Sequence, residues 1–248
     1  MQIIAHRGAS DSAPENTLAS VSLAWQQNAD AVEIDVRLTR DGRIAVIHDP
    51  TTRRTAGRGW RVAGRTLAEL QTLDAGRKKG AAWRGQRIPS LEQVLATVPD
   101  GKRLLIEIKC GLEIVPELAR VLGACGKKPA QTVVICFDLM IVEAVKRRIP
   151  RVPVYWLRGT RRKRGEKRRW SDRFASWIDT CRRGNLSGLD LARGCKIRRE
   201  TVDKIRDAGL ELYVWTVNAV RTARKLAALG VDGIATDRPG WMRERLQE

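Results

Sequence analysis

Apolar residues in this chain fall into two kinds of pattern. Short runs rich in β-branched and aliphatic residues, QIIAH, AVEIDV, RLLIEIK, TVVICF, VPVYWL, LSGLDL, LELYVWTV and VDGIATD, read as strands. Between them lie stretches such as ENTLASVSLAWQQN, SLEQVLATV, MIVEAVKRRI and RTARKLAALG, where an apolar residue returns every three or four positions and predicts a helix. Eight strands alternating with helices in 248 residues match the count and size of a (β/α)8 TIM barrel, an α/β fold, expected as one domain over residues 1–248. No internal repeat and no linker-like composition divides the chain.

One stretch breaks the alternation. After AVEIDV comes RLTRDGRIAVIHD, where Asp41-Gly42 between alternating residues signals a hairpin. A turn centred on those two residues pairs positions whose numbers sum to about 83, which sets His48 opposite Asp35. The following segment, to about Ser90, is rich in Gly and Arg with little strand pattern. It reads as a small insertion at about 50–90 with one helix, TLAELQTL, covering the same end of the barrel.

Charge adds a partner class to this picture. Lys and Arg number 47 against 28 Asp and Glu, a net +19 that favours phosphates, nucleic acid or a lipid surface. The run from Arg158 to Arg169 holds eight basic residues and one acid and follows the fifth strand. It reads first as a solvated loop, second as an attractor for anionic substrates or an anionic membrane surface, and last as a nucleic-acid contact. Trp170, Phe174, Trp177, Ile178 and Cys181 then recur at helical spacing, a core-facing stripe. The five cysteines are odd in number and widely spaced, as in a protein with reduced thiols. No apolar run approaches the roughly 20 residues that span a bilayer. Met1 stands too close to the first motif for a cleavable signal, so a cytoplasmic protein is expected.

The candidate chemistry lies at strand C-terminal ends. His6 and Arg7 close the first strand, Glu33 and Asp35 the second, and Glu107 and Lys109 the third, while the hairpin returns His48, the only other histidine. Barrel active sites assemble at that face from neighbouring strands. Glu33 and Asp35 share a face, as do Glu107 and Lys109, because strand side chains alternate. Three converging carboxylates require a cation, and an all-oxygen set suits Mg²⁺ or Ca²⁺. Arg7 and Lys109 supply fixed charge for a bound anion, and two histidines can act as general acid and base on an ester.

The blocks HRGAS…APENT, VEIDVRLTRDGRIAVIHDPTTRRTAGRG, RIPSLEQVL, LLIEIK, YVWTVN and GVDGIATDRP, in this order over nearly the whole chain, resemble the glycerophosphodiester phosphodiesterase family. The resemblance implies a barrel, one divalent metal, and hydrolysis of a glycerophosphodiester to an alcohol and sn-glycerol 3-phosphate. It places the catalytic pair on His6 and His48, the metal ligands on Glu33, Asp35 and Glu107, and phosphate binding on Arg7 and Lys109. It also puts Glu15 at the site margin and Trp215 in the glycerol or leaving-group pocket. Asn218 and Asp237 are weaker candidates for the site, since a loop Asn or Asp after a strand is more often a cap or turn former. The nucleophile, a water or the substrate's own glycerol hydroxyl, stays open, as does which histidine is the base. Two other readings are action on lysophospholipids and a non-catalytic protein binding anions or nucleic acid through its basic surface.

Overall fold

A computed structural model describes residues 1–160 and 169–248. Most of the basic run, residues 161–168, therefore lies outside the described residues. Each predicted strand forms: β1 (Gln2–His6), β2 (Ala31–Leu38), a short added β3 (Ile44–Val46), β4 (Arg103–Ile108), β5 (Thr132–Cys136), β6 (Val154–Arg158), β7 (Gly188–Ala192), β8 (Glu211–Trp215) and β9 (Gly233–Thr236). The sheet runs β1-β9-β8-β7-β6-β5-β4-β2-β3, and a β1–β2 pairing closes it. Among the described residues all pairings are parallel except β2–β3, so eight strands make a (β/α)8 barrel with an attached hairpin.

The helices are α1 (Leu18–Gln26), α2 (Arg53–Ala56), α3 (Leu67–Gln71), α4 (Leu91–Ala96), α5 (Val115–Ala124), α6 (Leu139–Arg148), α7 (Trp170–Arg183), α8 (Arg199–Asp207), α9 (Val220–Leu229) and α10 (Pro239–Gln247). Local chemistry starts several of them. Thr17 and Ser20 exchange side-chain hydrogen bonds with each other's backbone at the head of α1, and Ser90 and Gln93 do the same at α4. Phe174, Trp177 and Cys181 of α7 are buried, as their spacing predicts.

Alternation along the strands divides the core in two. Ile4, Ala31, Leu105, Ile135, Tyr155, Leu157, Tyr213 and Ala235 pack together inside the barrel, while their neighbours pack outward with the helices. At the N-terminal end Arg103 donates to Glu211 and to the hydroxyls of Tyr155 and Tyr213, and Tyr213 donates to Gln2. That network closes the bottom of the barrel. The segment from 50 to 90 packs Val62, Leu70, Ala75 and Ile88 against Ala45 and Ile47 of the hairpin in a separate apolar nucleus. The five cysteines remain thiols, and no helix among the described residues is long and apolar enough to cross a membrane.

The hairpin register differs by one from the sequence expectation. Val36 pairs with Val46, and Leu38 with Ile44, so partner numbers sum to 82 and Asp35 faces Ile47 rather than His48. Thr39 and Arg43 bracket a three-residue loop, and Gly42 takes a left-handed φ of 69°. A left-handed third residue is what a three-residue hairpin loop requires, whereas a turn centred on Asp41-Gly42 has two.

Candidate active site

The first strand delivers three groups in succession. His6 ends β1, where it pairs in register with Glu33 of β2. Arg7 then turns into the left-handed region at φ 58°, an unusual state for a residue with a side chain. Its backbone N–H donates to Glu33 Oε2 at 2.9 Å, and its guanidinium lies 3.0 Å from Glu15 and 3.2 Å from Asp35. Gly8 follows at φ 81°, and a Cβ there would meet the backbone carbon of Ser20 at 2.5 Å. Only glycine lets α1 approach this closely.

Glu33, Asp35 and Glu107 each bring a carboxylate oxygen within 4.8 Å of the others. All three are buried. Burial, and then the charges of Asp35 and Glu107, push the Glu33 carboxyl well above its usual range. Burial likewise raises Glu107, although Lys109 opposes the rise. Glu33 Oε1 and Asp35 Oδ1 are buried and accept no hydrogen bond among the described residues, with Lys109 Nζ 3.4 Å from Asp35 Oδ1. An oxygen-preferring divalent cation fits that donor set. Asn16, itself left-handed at φ 56°, fixes Asp35: its amide donates to Asp35 Oδ2 and its carbonyl accepts from the Asp35 N–H. Lys109 Nζ sits 2.5 Å from Glu107 and 3.4 Å from Asp35, and their charges raise its pKa against the effect of burial.

His48 comes off the hairpin just past Ile47, and Arg37 Nε anchors its carbonyl at 2.8 Å. Its Nδ1 lies 2.6 Å from Asp49. Burial raises the Asp49 carboxyl, but hydrogen bonds from Arg54 and His48 outweigh it and hold the group at about 2. Asp49 is therefore ionised, and the His48 proton resides on Nδ1. Burial lowers the His48 pKa in spite of Asp49, so the ring is neutral at neutral pH. Arg54 extends the chain of contacts, donating from Nε to Asp49 and from both terminal nitrogens to Glu15. Glu15 in turn accepts from Arg7.

His6 has a matching partner. Its Nδ1 lies 2.7 Å from Asp237, which also accepts from Ser10 at 3.1 Å and Asn218 at 2.5 Å. Those donors, His6 first, overcome burial and lower Asp237 to about 2. Asn218 is fixed through its carbonyl by Thr236 and the Asp237 N–H. So Asp237 and Asn218, the weaker candidates in the sequence, hold an imidazole in place. Closure of the barrel brings the two together, because Ala5 pairs with Thr236, and His6 and Asp237 are the residues that follow them along the chain.

Trp215 ends β8 and lies edge-on to Phe137, ring centroids 5.6 Å apart, with its indole N–H directed at the Asp190 carbonyl. The Lys109 ammonium is 5.9 Å from the Phe137 ring, so this aromatic corner borders the cationic one. Asp190 is buried in β7 beneath Trp215, and burial drives its carboxyl well up. Every residue expected at the site, His6, Arg7, Glu15, Glu33, Asp35, His48, Glu107, Lys109 and Trp215, thus falls at the C-terminal face. The sequence reading missed Asn16, Asp49 and Arg54. Asp49 could have been found as the acid beside His48; Asn16 and Arg54 lie in the blocks APENT and HDPTTRRTAGRG, but nothing local to them marks which carboxylates they contact.

Carboxylates that need a cation, imidazoles that can pass protons and fixed cations between them, all at one barrel mouth, are the chemistry of a phosphoric ester hydrolase. Residues 6–241 match the model of the Glycerophosphoryl diester phosphodiesterase family, and the chain belongs to that family. YhdW of Bacillus subtilis is 38% identical over 249 residues, covering 98% of this chain and 96% of its own length. A glycerophosphodiester phosphodiesterase of Caldanaerobacter subterraneus is 32% identical, covering 96% and 94%. Among solved structures, an Oleispira antarctica phosphodiesterase in complex with its product sn-glycerol-3-phosphate superposes with a TM-score of 0.89 at 27% identity, over 100% of this chain and 97% of that one.

Proposed function

We propose that this chain hydrolyses glycerophosphodiesters to an alcohol and sn-glycerol 3-phosphate, with one divalent cation, Mg²⁺ or Ca²⁺, held by Glu33, Asp35 and Glu107. The observation that carries the reading is the pair of undonated oxygens on Glu33 and Asp35, set beside the Glu107 carboxylate. When bound, the cation neutralises these carboxylates and stabilises negative charge developing on the phosphoryl oxygens. Arg7 and Lys109 bind the same phosphate from the side, their own carboxylate contacts keeping them extended into the site.

His6 and His48 move the protons. In each ring Nδ1 is committed to an ionised aspartate, which leaves Nε2 for exchange with the substrate. One imidazole takes the proton of the attacking oxygen, a water or the glycerol hydroxyl, at Nε2, and the other, which enters the step protonated on both nitrogens, gives its Nε2 proton to the departing alkoxide. Trp215 and Phe137 form the apolar wall for the glycerol or the leaving alcohol, and Glu15 holds Arg7 in its strained turn. The five free thiols suit a reducing, cytoplasmic setting.

The test is an assay with sn-glycero-3-phosphocholine and detection of sn-glycerol 3-phosphate. Wild-type protein supplied with Mg²⁺ or Ca²⁺ releases the product, and His48→Ala lowers kcat by about 10²–10⁴-fold. Full activity in that variant, or no release by the wild type with any divalent metal, overturns the assignment.

A further inference from the structure

The segment from 50 to 90 carries ten basic residues against two acids, Glu69 and Asp74, a net +8 out of the +19 of the whole chain. Two of the ten are engaged with carboxylates: Arg54 with Asp49 and Glu15, and Arg65 with Glu69. The other eight form no ion pair to a carboxylate among the described residues. Arg58, Arg61, Arg77 and Arg84 are exposed, and Arg58 lies with its guanidinium 4.4 Å over the Trp60 ring, which stiffens it without neutralising it. The same segment reaches the catalytic face, through Arg54 to Glu15 and through the Lys79 ammonium to the carbonyls of Ser10 and Asp11.

A second observation lies on the same rim. Among the described residues five large apolar side chains are exposed, and three of them, Leu112 (45%), Phe137 (43%) and Met140 (64%), follow the C-terminal ends of β4 and β5. Continuing around the barrel mouth, the cationic segment after β3 gives way to β4 and β5 in sheet order β3-β2-β4-β5. Unpaired cations and projecting aliphatic side chains on one face complement a lipid headgroup layer, where anions meet acyl carbon. Nucleic acid offers the anions but no use for Leu112 and Met140.

We propose that the catalytic face docks on an anionic phospholipid surface, with the exposed arginines of residues 50–90 on the headgroups and Leu112 and Met140 at the acyl boundary. The docking is separate from the proposed reaction, and either can stand without the other. It directs the open mouth of the barrel toward diesters at or near a bilayer. It also makes binding, but not turnover of a soluble diester, depend on ionic strength.

Sedimentation of the purified full chain with vesicles tests the idea. Binding is expected to vesicles of phosphatidylcholine mixed with phosphatidylglycerol and not to phosphatidylcholine alone, and added salt is expected to release it. Each basic side chain near an anionic surface contributes a factor of about five in partitioning, so joint Arg58→Gln, Arg61→Gln, Arg77→Gln and Arg84→Gln changes reduce it by about a hundredfold or more. Leu112→Ser with Met140→Ser weakens binding further at high salt. Both sets keep wild-type hydrolysis of sn-glycero-3-phosphocholine, and His48→Ala binds vesicles as the wild type does. Equal binding to neutral vesicles, retention by the four-arginine variant, or a duplex DNA bound through those arginines with no vesicle binding overturns the proposal.

Discussion

Arg54 shows how much of this site depends on residues that would not touch the phosphate. Among the described residues it is the one side chain that grips both Asp49, which orients His48, and Glu15, which supports Arg7. A guanidinium can hold two carboxylates with fixed angles; an ammonium cannot. Arg54→Lys therefore keeps the charge and loses the alignment, and steady-state kinetics on a soluble diester should show kcat lower by about ten- to a hundredfold with a smaller change in KM. An unchanged kcat would mean that His48 and Arg7 are set independently. The carboxylate trio gives a second prediction at this scale. The folded-state pKa of Glu33 lies well above its ordinary 4.5, mainly through burial and then through Asp35 and Glu107. Folding thus retains a proton that the unfolded chain releases, and metal-free stability falls as pH rises above 4.5. A bound divalent cation removes that penalty. Thermal unfolding should then show a larger metal-induced rise in Tm at about pH 8 than at about pH 5, and Glu33→Gln should flatten the difference.

At the scale of elements, close approach of α1 to the end of β1 sets the geometry of the mouth. Gly8→Ala forces a Cβ against Ser20 and a side chain into the left-handed region, costing roughly 2–5 kcal/mol, and chemical denaturation would measure it. A loss below about 1 kcal/mol would show that α1 can move away. The strands themselves were legible in the sequence because a barrel strand is buried on both faces and reads as an unbroken apolar run. The hairpin was legible, its register was not, since the choice between a two- and a three-residue loop rests on the left-handed φ of Gly42. Asp237 was visible as a residue but not as a partner of His6, because that pairing appears only when the last strand closes on the first. Asn16 reaches Asp35 from irregular backbone and Arg54 reaches Asp49 from the one-turn helix α2, both too short of regular pattern for periodicity to forecast direction.

For the whole molecule, the barrel separates structural from reactive polarity. Arg103, Tyr155, Tyr213, Glu211 and Gln2 hydrogen-bond one another at the N-terminal end, where Arg103 Nε has no partner among the described residues, while at the C-terminal end the unpartnered buried atoms Glu33 Oε1 and Asp35 Oδ1 are carboxylate oxygens. The first matches donors to acceptors; the second gathers acceptors, the donor set that the proposed cation would occupy. On the proposed function these carboxylates act through a divalent metal on a glycerophosphodiester. The most direct measurement strips the protein with a chelator, restores Mg²⁺ or Ca²⁺, and follows release of sn-glycerol 3-phosphate in the wild type and in Asp35→Asn. Hydrolysis that vanishes on chelation, returns with metal and stays absent in the variant is the predicted result, and undiminished hydrolysis in the chelated enzyme or in Asp35→Asn would contradict it.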